Sequence, residues 1–191
     1  MGAGQSQTDH DLILAVREGG EIGRAAFAQL YERHKAWAMS VALRFQSDPE
    51  RASDAVQDAF LSLLRKGGAL YAGAQFRTIL YLPIKHAAMR QSRRSSRIGS
   101  KRMHSTGDVA GTIGVVSVEL ETGSDDNTRV RDAVMQLPDA HREVLLMRCV
   151  DDLSVAEVAA ALDIPEGTVK SRLYHAVRGL RGVLGGDETS Q

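Results

Sequence analysis

Apolar positions along this chain recur with a helical period. Over 22–46, Phe27, Leu30, Tyr31, Ala38, Val41, Ala42 and Phe45 fall at i, i+3, i+4, i+11, i+14, i+15 and i+18, one face of a long helix. A shorter helix precedes it over 9–18, with Leu12, Ile13 and Val16 apolar and Gly19-Gly20 as its stop. A third is predicted from Ser47-Asp48-Pro49-Glu50 to Lys66, with Ser47 and Glu50 at capping-box spacing and Pro49 in the first turn. Ala52, Val56, Ala59, Phe60, Leu63 and Leu64 form its expected buried face, and Gly67-Gly68 ends it. A fourth runs from about 73–76 to Arg94, with Pro83 inside it removing one backbone hydrogen bond and kinking it.

The second half of the chain repeats the pattern in shorter units. Helices are predicted over 129–136, 139–150, 154–162 and 167–184. Ser154-Val155-Ala156-Glu157 is a capping box, and Val155, Val158, Ala159 and Leu162 give its helix one apolar face. Between the halves, 95–127 is rich in Ser, Gly and Thr without a sustained period, which reads as a flexible linker. Its run 112–118 (TIGVVSV) fits a brief strand or a docking segment. The expected fold is all-α, two small four-helix domains at 9–95 and 129–184 joined by a linker at 96–128. A disordered start at 1–8 and a frayed tail at 185–191 complete it.

Length and composition agree: 191 residues, 43% hydrophobic and 25% charged, suffice for two small cores. No apolar run approaches the roughly 18 residues of a membrane span, and the polar N-terminus has no secretory pattern, so a cytoplasmic chain without membrane insertion is expected. A single cysteine, Cys149, excludes an intramolecular disulfide and a cysteine-only metal cage, and its apolar helix suggests a core position. Net charge is zero, 24 basic against 24 acidic residues, yet the charges are sorted into blocks. Residues 85–107 hold seven Lys and Arg and no acid, 108–128 hold five acids and no Lys or Arg, and 167–182 hold four Lys and Arg and no acid. Sorted blocks make local fields whatever the total.

The chemistry these blocks support is binding. A capped helix, a tight connection (Asp163-Ile164-Pro165-Glu166-Gly167) and a longer basic helix make a helix-turn-helix. On the last helix Val169, Leu173, Ala176, Leu180 and Leu184 form the inner face. Lys170, Ser171, Tyr174, His175, Arg178 and Arg181 lie opposite, with Arg172 on the flank and no carboxylate among them. Such a face suits a major groove, where Lys and Arg meet guanine or phosphate. On the third helix Asp54, Gln57 and Asp58 make an acidic, amide-bearing face for a basic partner, or ordinary solvated carboxylates. Lys85, His86, Arg90, Arg93 and Arg94, downstream of Phe76 and Tyr81, suit a phosphate backbone and unstacked bases, or a macrodipole-stabilised helix end. No phosphate-binding loop, zinc-protease or serine-hydrolase motif occurs, and the six histidines lack ligand spacing; no enzyme activity, metal or cofactor is expected.

With these residues in view the chain resembles a bacterial RNA polymerase sigma factor of the extracytoplasmic-function type. The resemblance is most specific at Leu137-Pro138, Arg142-Glu143-Val144-Leu145, Leu153 to Ala159, and Gly167-Thr168-Val169-Lys170-Ser171-Arg172-Leu173, which are similar to the family's fourth region. Phe27 to Tyr31, Asp54-x-x-Gln57-Asp58-x-Phe60 and Phe76-Arg77-Thr78-x-Leu80-Tyr81 are similar to its second region. The resemblance implies −35 contacts at Thr168, Lys170, Ser171, Arg172, Tyr174, His175 and Arg178, and −10 contacts at Lys85, His86, Arg90, Arg93 and Arg94. It also implies core RNA polymerase binding by Asp54, Gln57 and Asp58, and a flipped base held by the loop at 66–75. Promoter DNA, core polymerase and an anti-sigma factor are the implied partners. The chain departs from the family pattern at Ile79 (usually Trp), Pro83, His86 (commonly Asn) and Arg90 (commonly Asp). The alternatives are a dimeric helix-turn-helix regulator that binds operator DNA, with an N-terminal sensor or dimerisation module, and an adaptor that works through its acidic face.

Overall fold

The computed structural model describes residues 7–66, 75–99 and 125–185, and among them every regular element is a helix. The elements are α1 (Asp9–Glu18), α2 (Gly20–Leu43), α3 (Pro49–Lys66), α4 (Phe76–Gly99), α5 (Asp125–Gln136), α6 (Asp139–Cys149), α7 (Val155–Leu162) and α8 (Glu166–Leu184). They fall into two compact units, α1–α4 and α5–α8. The run at 112–118 and the glycines at 67–68 lie outside the described residues.

In the first unit α1 opens on a capping box. Thr8 Oγ1 accepts from the Asp11 backbone N–H, and the Asp11 carboxylate accepts from the Thr8 N–H. The Thr8 hydroxyl also donates to that carboxylate at 2.7 Å, and this bond, with the Thr8 N–H, holds the Asp11 carboxyl below its usual range. Gly19 and Gly20 both take positive φ, 75° and 65°, which turns the chain directly into α2 where a side chain would be strained. α3 starts differently from the sequence reading. Asp48, one residue later than Ser47, is the cap, because its carboxylate accepts from the N–H groups of Glu50 (3.0 Å) and Arg51 (3.4 Å). Pro49 thereby takes the first helical position, where its missing N–H costs nothing.

An aromatic cluster fastens α2, α3 and α4 together. The Phe60 ring lies 4.9 Å from Tyr31, 6.0 Å from Phe27 and 6.0 Å from Phe76, the first two edge-on. Around it Leu12, Ile13, Leu30, Val41, Leu80, Tyr81 and Ile84 are fully buried. Alanines at 38, 42, 52, 55, 59, 87 and 88 let the helices approach closely. The Arg77 guanidinium sits over the Trp37 ring, 5.4 Å from its centroid. Leu64, expected inside, is exposed: it lies one residue round the helix from Leu63, which takes the inner position together with Ala55 and Ala59. α4 is a single helix through Pro83 and continues to Gly99, past the expected end at Arg94. Ser and Arg cost a helix only tenths of a kcal/mol each, so the polar composition that suggested a linker does not stop it. For the same reason α5 begins at Asp125, ahead of 129.

His34 was not singled out by the sequence. It is buried on α2, its Nε2 is 2.6 Å from Asp9 Oδ2 on α1, and among the described residues its Nδ1 has no hydrogen-bond partner. Its ring tilts against Phe76 at 4.9 Å, and Arg33 bonds the other Asp9 oxygen. Burial pushes the imidazole below its usual 6.5; Asp9 opposes this, while Arg77 and Arg33 add to it.

The second unit is built on α8, with α5, α6 and α7 against it. Its structural key is Arg142, buried on α6. Nε donates to the Val134 carbonyl (3.2 Å), and Nη2 donates to those of Met135 (2.8 Å) and Leu137 (2.7 Å). These carbonyls lie at and just past the end of α5; that of Val134 also accepts from the Leu137 N–H at 3.2 Å, and the one side chain from α6 caps the helix end. Leu137, Leu145 and Ala176 pack beneath, with Val134 and Leu180 at the edge. A Cβ at Gly179 would meet Leu137 Cδ2 at 2.9 Å, so a larger residue there requires the end of the Leu137 side chain to shift. Cys149 is exposed, a correction to its expected core position: the buried run of α6 stops at Met147, and Cys149 and Val150 point outward at the helix end.

Two predictions follow from these contacts. In the unfolded chain His34 takes up a proton as pH falls through about 6.5, whereas the folded imidazole resists it. Stability is therefore fully present above that pH and is lost below it, down to the folded group's own lower pKa. Urea midpoints measured from pH 7.5 to 5.5 fall for the native chain and fall less for His34→Gln. Arg142→Met removes the side-chain donor from the Met135 and Leu137 carbonyls, leaves Val134 with the Leu137 N–H alone, and lowers unfolding free energy by about 2–4 kcal/mol in urea titrations followed by circular dichroism.

Candidate functional site

The direction of α8 is set by the turn before it. Ser154 and Glu157 form the expected capping box: Ser154 Oγ accepts from the Glu157 N–H (3.2 Å), and the Glu157 carboxylate accepts from the Ser154 N–H (2.7 Å). α7 ends on Asp163 in the left-handed conformation, φ 54°, and the Ile164 N–H returns to the Ala159 carbonyl at 3.1 Å. Pro165 then caps α8, its carbonyl accepting from the N–H groups of Thr168 and Val169. Three residues thus separate the two helices, and the direction of α8 is fixed by backbone bonds.

On α8, Val169 and Ala176 are fully buried, while Leu173, Leu180 and Leu184 are half-buried, so the inner face is narrower than the wheel suggests. Lys170, Ser171, Tyr174, His175, Arg178 and Arg181 are all exposed, and Thr168 and Arg172 are half-buried on its flanks. One carboxylate borders this surface, contrary to expectation: α8 begins at Glu166, whose Oε2 lies 3.5 Å from Lys170 Nζ. An acid in the first turn is favoured by the helix dipole. The His175 ring stacks on His141 of α6 at 5.7 Å and 15°, and Tyr174 stands edge-on to it at 5.4 Å. His141 had no signal in the sequence; only the fold brings it to this surface.

In the first unit Asp54, Gln57 and Asp58 are all exposed on one face of α3, and Leu61, 52% exposed, extends that face by a turn. Leu61 falls outside the expected apolar face of α3, and the structure has it exposed. On α4, His86 and Arg90 are exposed, and Lys85 is half-buried with its ammonium 5.6 Å above the Phe45 ring. Arg93 and Arg94 lie on α4, but their side chains are outside the described residues, as is the loop expected to hold a flipped base. Ser62 of α3 and Pro83, His86, Met89 and Arg90 of α4 line an open groove of about 860 Å³. Arg90 Nη2 approaches Asp58 Oδ2 at 3.7 Å. Among the described residues no group of three or more His, Cys, Asp or Glu is placed to hold a metal ion, and no helix is long and apolar enough to cross a membrane.

Comparison with known proteins gives the same division. Residues 30–98 match the family model of sigma-70 region 2, and residues 127–180 match that of sigma-70, region 4. The chain is 31% identical over 172 residues to the ECF RNA polymerase sigma factor SigL of Mycobacterium tuberculosis, an alignment spanning 90% of this chain and 96% of that one. It is 29% identical over 187 residues to the ECF RNA polymerase sigma factor SigK of Mycobacterium sp. strain JLS, spanning 93% and 92%. Two solved structures share the fold. One is the sigma factor RpoE from Bartonella quintana in complex with the anti-sigma factor NepR: TM-score 0.61, 21% identity, 86% of this chain and 98% of that one. The other is CnrH in complex with the cytosolic domain of CnrY: TM-score 0.60, 24% identity, 94% and 98%.

Proposed function

The chain belongs to the ECF RNA polymerase sigma factors of the sigma-70 family, transcription initiation factors that direct polymerase to promoters, and on that footing we propose how its two helical units divide the work. The second unit, residues 129–184, reads the −35 element with α8. Lys170, Ser171, Tyr174, His175 and Arg178 face the major groove, and Thr168 and Arg172 meet the phosphates beside it. The observation that carries this reading is the solvent-facing row of cations on α8, held by a capped helix and a three-residue turn.

The first unit, residues 9–95, docks on core RNA polymerase through Asp54, Gln57 and Asp58, with Leu61 supplying an apolar contact. Its Lys85, His86, Arg90, Arg93 and Arg94 meet the −10 region, and 96–128 link the two units. The chain has no catalytic step of its own: polymerase performs the chemistry, and the sigma factor supplies position and captures opened strand. It works in the cytoplasm, where promoter and polymerase are. An anti-sigma factor is a further partner, by analogy with the RpoE complex.

Two measurements test these assignments. The purified chain co-elutes with bacterial core polymerase on a sizing column, and Asp58→Lys abolishes or sharply weakens co-elution. Failure of the native chain to co-elute, with a dimer that binds duplex DNA alone, favours the operator-binding regulator instead. In the polymerase complex, Lys170→Ala and Arg178→Ala each weaken binding to a −35-containing promoter by about 1–3 kcal/mol where they meet a base. A phosphate contact instead reduces the salt slope by about one unit. Transcription by Lys170→Ala equal to that of the native chain at limiting protein overturns its assignment.

A further inference from the structure

The α3 face assigned to polymerase and the α4 face assigned to promoter DNA meet at one ion pair. Asp58 and Arg90 approach to 3.7 Å, and both side chains are more than half exposed, 52% and 67%. Asp58 lies one helical turn from Ser62, which shares a groove with Pro83, His86 and Arg90. Arg90 therefore belongs at once to the cationic wall of that groove and to the carboxylate face of its neighbour helix.

We propose that this pair links the two surfaces: polymerase docking on Asp58 releases Arg90 to a promoter phosphate, while in the free chain each group holds the other back. The proposal rests on the face assignments above. Its physics is competition. A carboxylate committed to a polymerase cation loses its hold on Arg90, and an Arg90 committed to phosphate leaves Asp58 to polymerase. By thermodynamic reciprocity the two binding events strengthen each other by the same factor. An exposed pair at this distance supports a modest factor, about two- to five-fold. A free sigma factor with Arg90 held in this way binds DNA more weakly than its holoenzyme, in addition to any other cause of that difference.

The test is a double-mutant cycle on the full-length chain, with Asp58→Asn, Arg90→Gln and the double variant. Two affinities are read: for labelled core polymerase, and for a labelled random-sequence duplex with free protein at low salt. Asp58→Asn is expected to tighten duplex binding roughly two- to five-fold in the native background and to have no such effect beside Arg90→Gln. Arg90→Gln is expected to tighten polymerase binding by a similar factor, and the gain vanishes beside Asp58→Asn. Asp54→Asn, one turn away, changes polymerase affinity equally with either residue at 90. Effects that simply add in both assays overturn the linkage while leaving the two faces standing. If Asp58→Asn leaves polymerase binding unchanged, or Arg90→Gln leaves duplex binding unchanged, the face assignment itself fails and the linkage falls with it. Circular dichroism of each variant checks that the exposed substitutions leave the helices intact.

Discussion

The Phe60 ring is the contact on which the first unit depends. It meets Phe27, Tyr31 and Phe76, so one side chain of α3 touches aromatics of both α2 and α4. Aromatic side chains bury roughly 150–250 Å² each and prefer edge-on geometry, so such a cluster fixes orientation as well as supplying burial. The orientation also sets the outer charged faces, because Asp54, Gln57 and Asp58 share α3 with Phe60, and Lys85, His86 and Arg90 share α4 with Phe76. Rotating either helix about its axis would break the cluster and turn a charged face inward. Arg142 does the equivalent in the second unit: it ties α6 to the end of α5, and both pack against α8.

These fastenings allow the outer faces to be electrostatically unfavourable. Asp54 and Asp58 repel across one helical turn, and α8 carries four cations between 170 and 181. Neither arrangement adds to the fold. Each is tolerated because cohesion comes from buried alanines, leucines and rings beneath, and because water and salt screen exposed charges over about 10 Å. Zero net charge is thus the sum of surfaces of opposite sign. Exposed pairs such as Lys170–Glu166 and Arg90–Asp58 add little to stability, and their interest lies in what competes for them.

Much of this was legible in the sequence, for identifiable reasons. The helical period of Phe27 to Phe45, the Ser154–Glu157 capping box and the turn around Pro165 are local signals, and local hydrogen bonds realise them. The row of cations on α8 follows from the same period. What was not legible depends on contacts between elements. His34 looks like any helical histidine until α1 brings Asp9 to 2.6 Å. Arg142 stands in a motif, yet its role as a cap needs the end of α5 beside it. Leu64 falls on the apolar face its helical period marks and Cys149 on an apolar helix, yet their helices turn both to solvent. Ser47 lost the capping role to Asp48 because both residue types cap well and one residue of register decides between them.

The place of Trp37 has a spectroscopic consequence. It is the only tryptophan in the sequence, and it lies in the first unit beneath the Arg77 guanidinium. Among the described residues the second unit holds one large aromatic, Tyr174, exposed on α8. Intrinsic tryptophan emission therefore follows the melting of α1–α4 and is blind to α5–α8, whereas helical ellipticity weighs both. A single smooth emission curve would say nothing about whether the second unit had already come apart, and only the disagreement between the two optical signals would reveal that the units unfold separately.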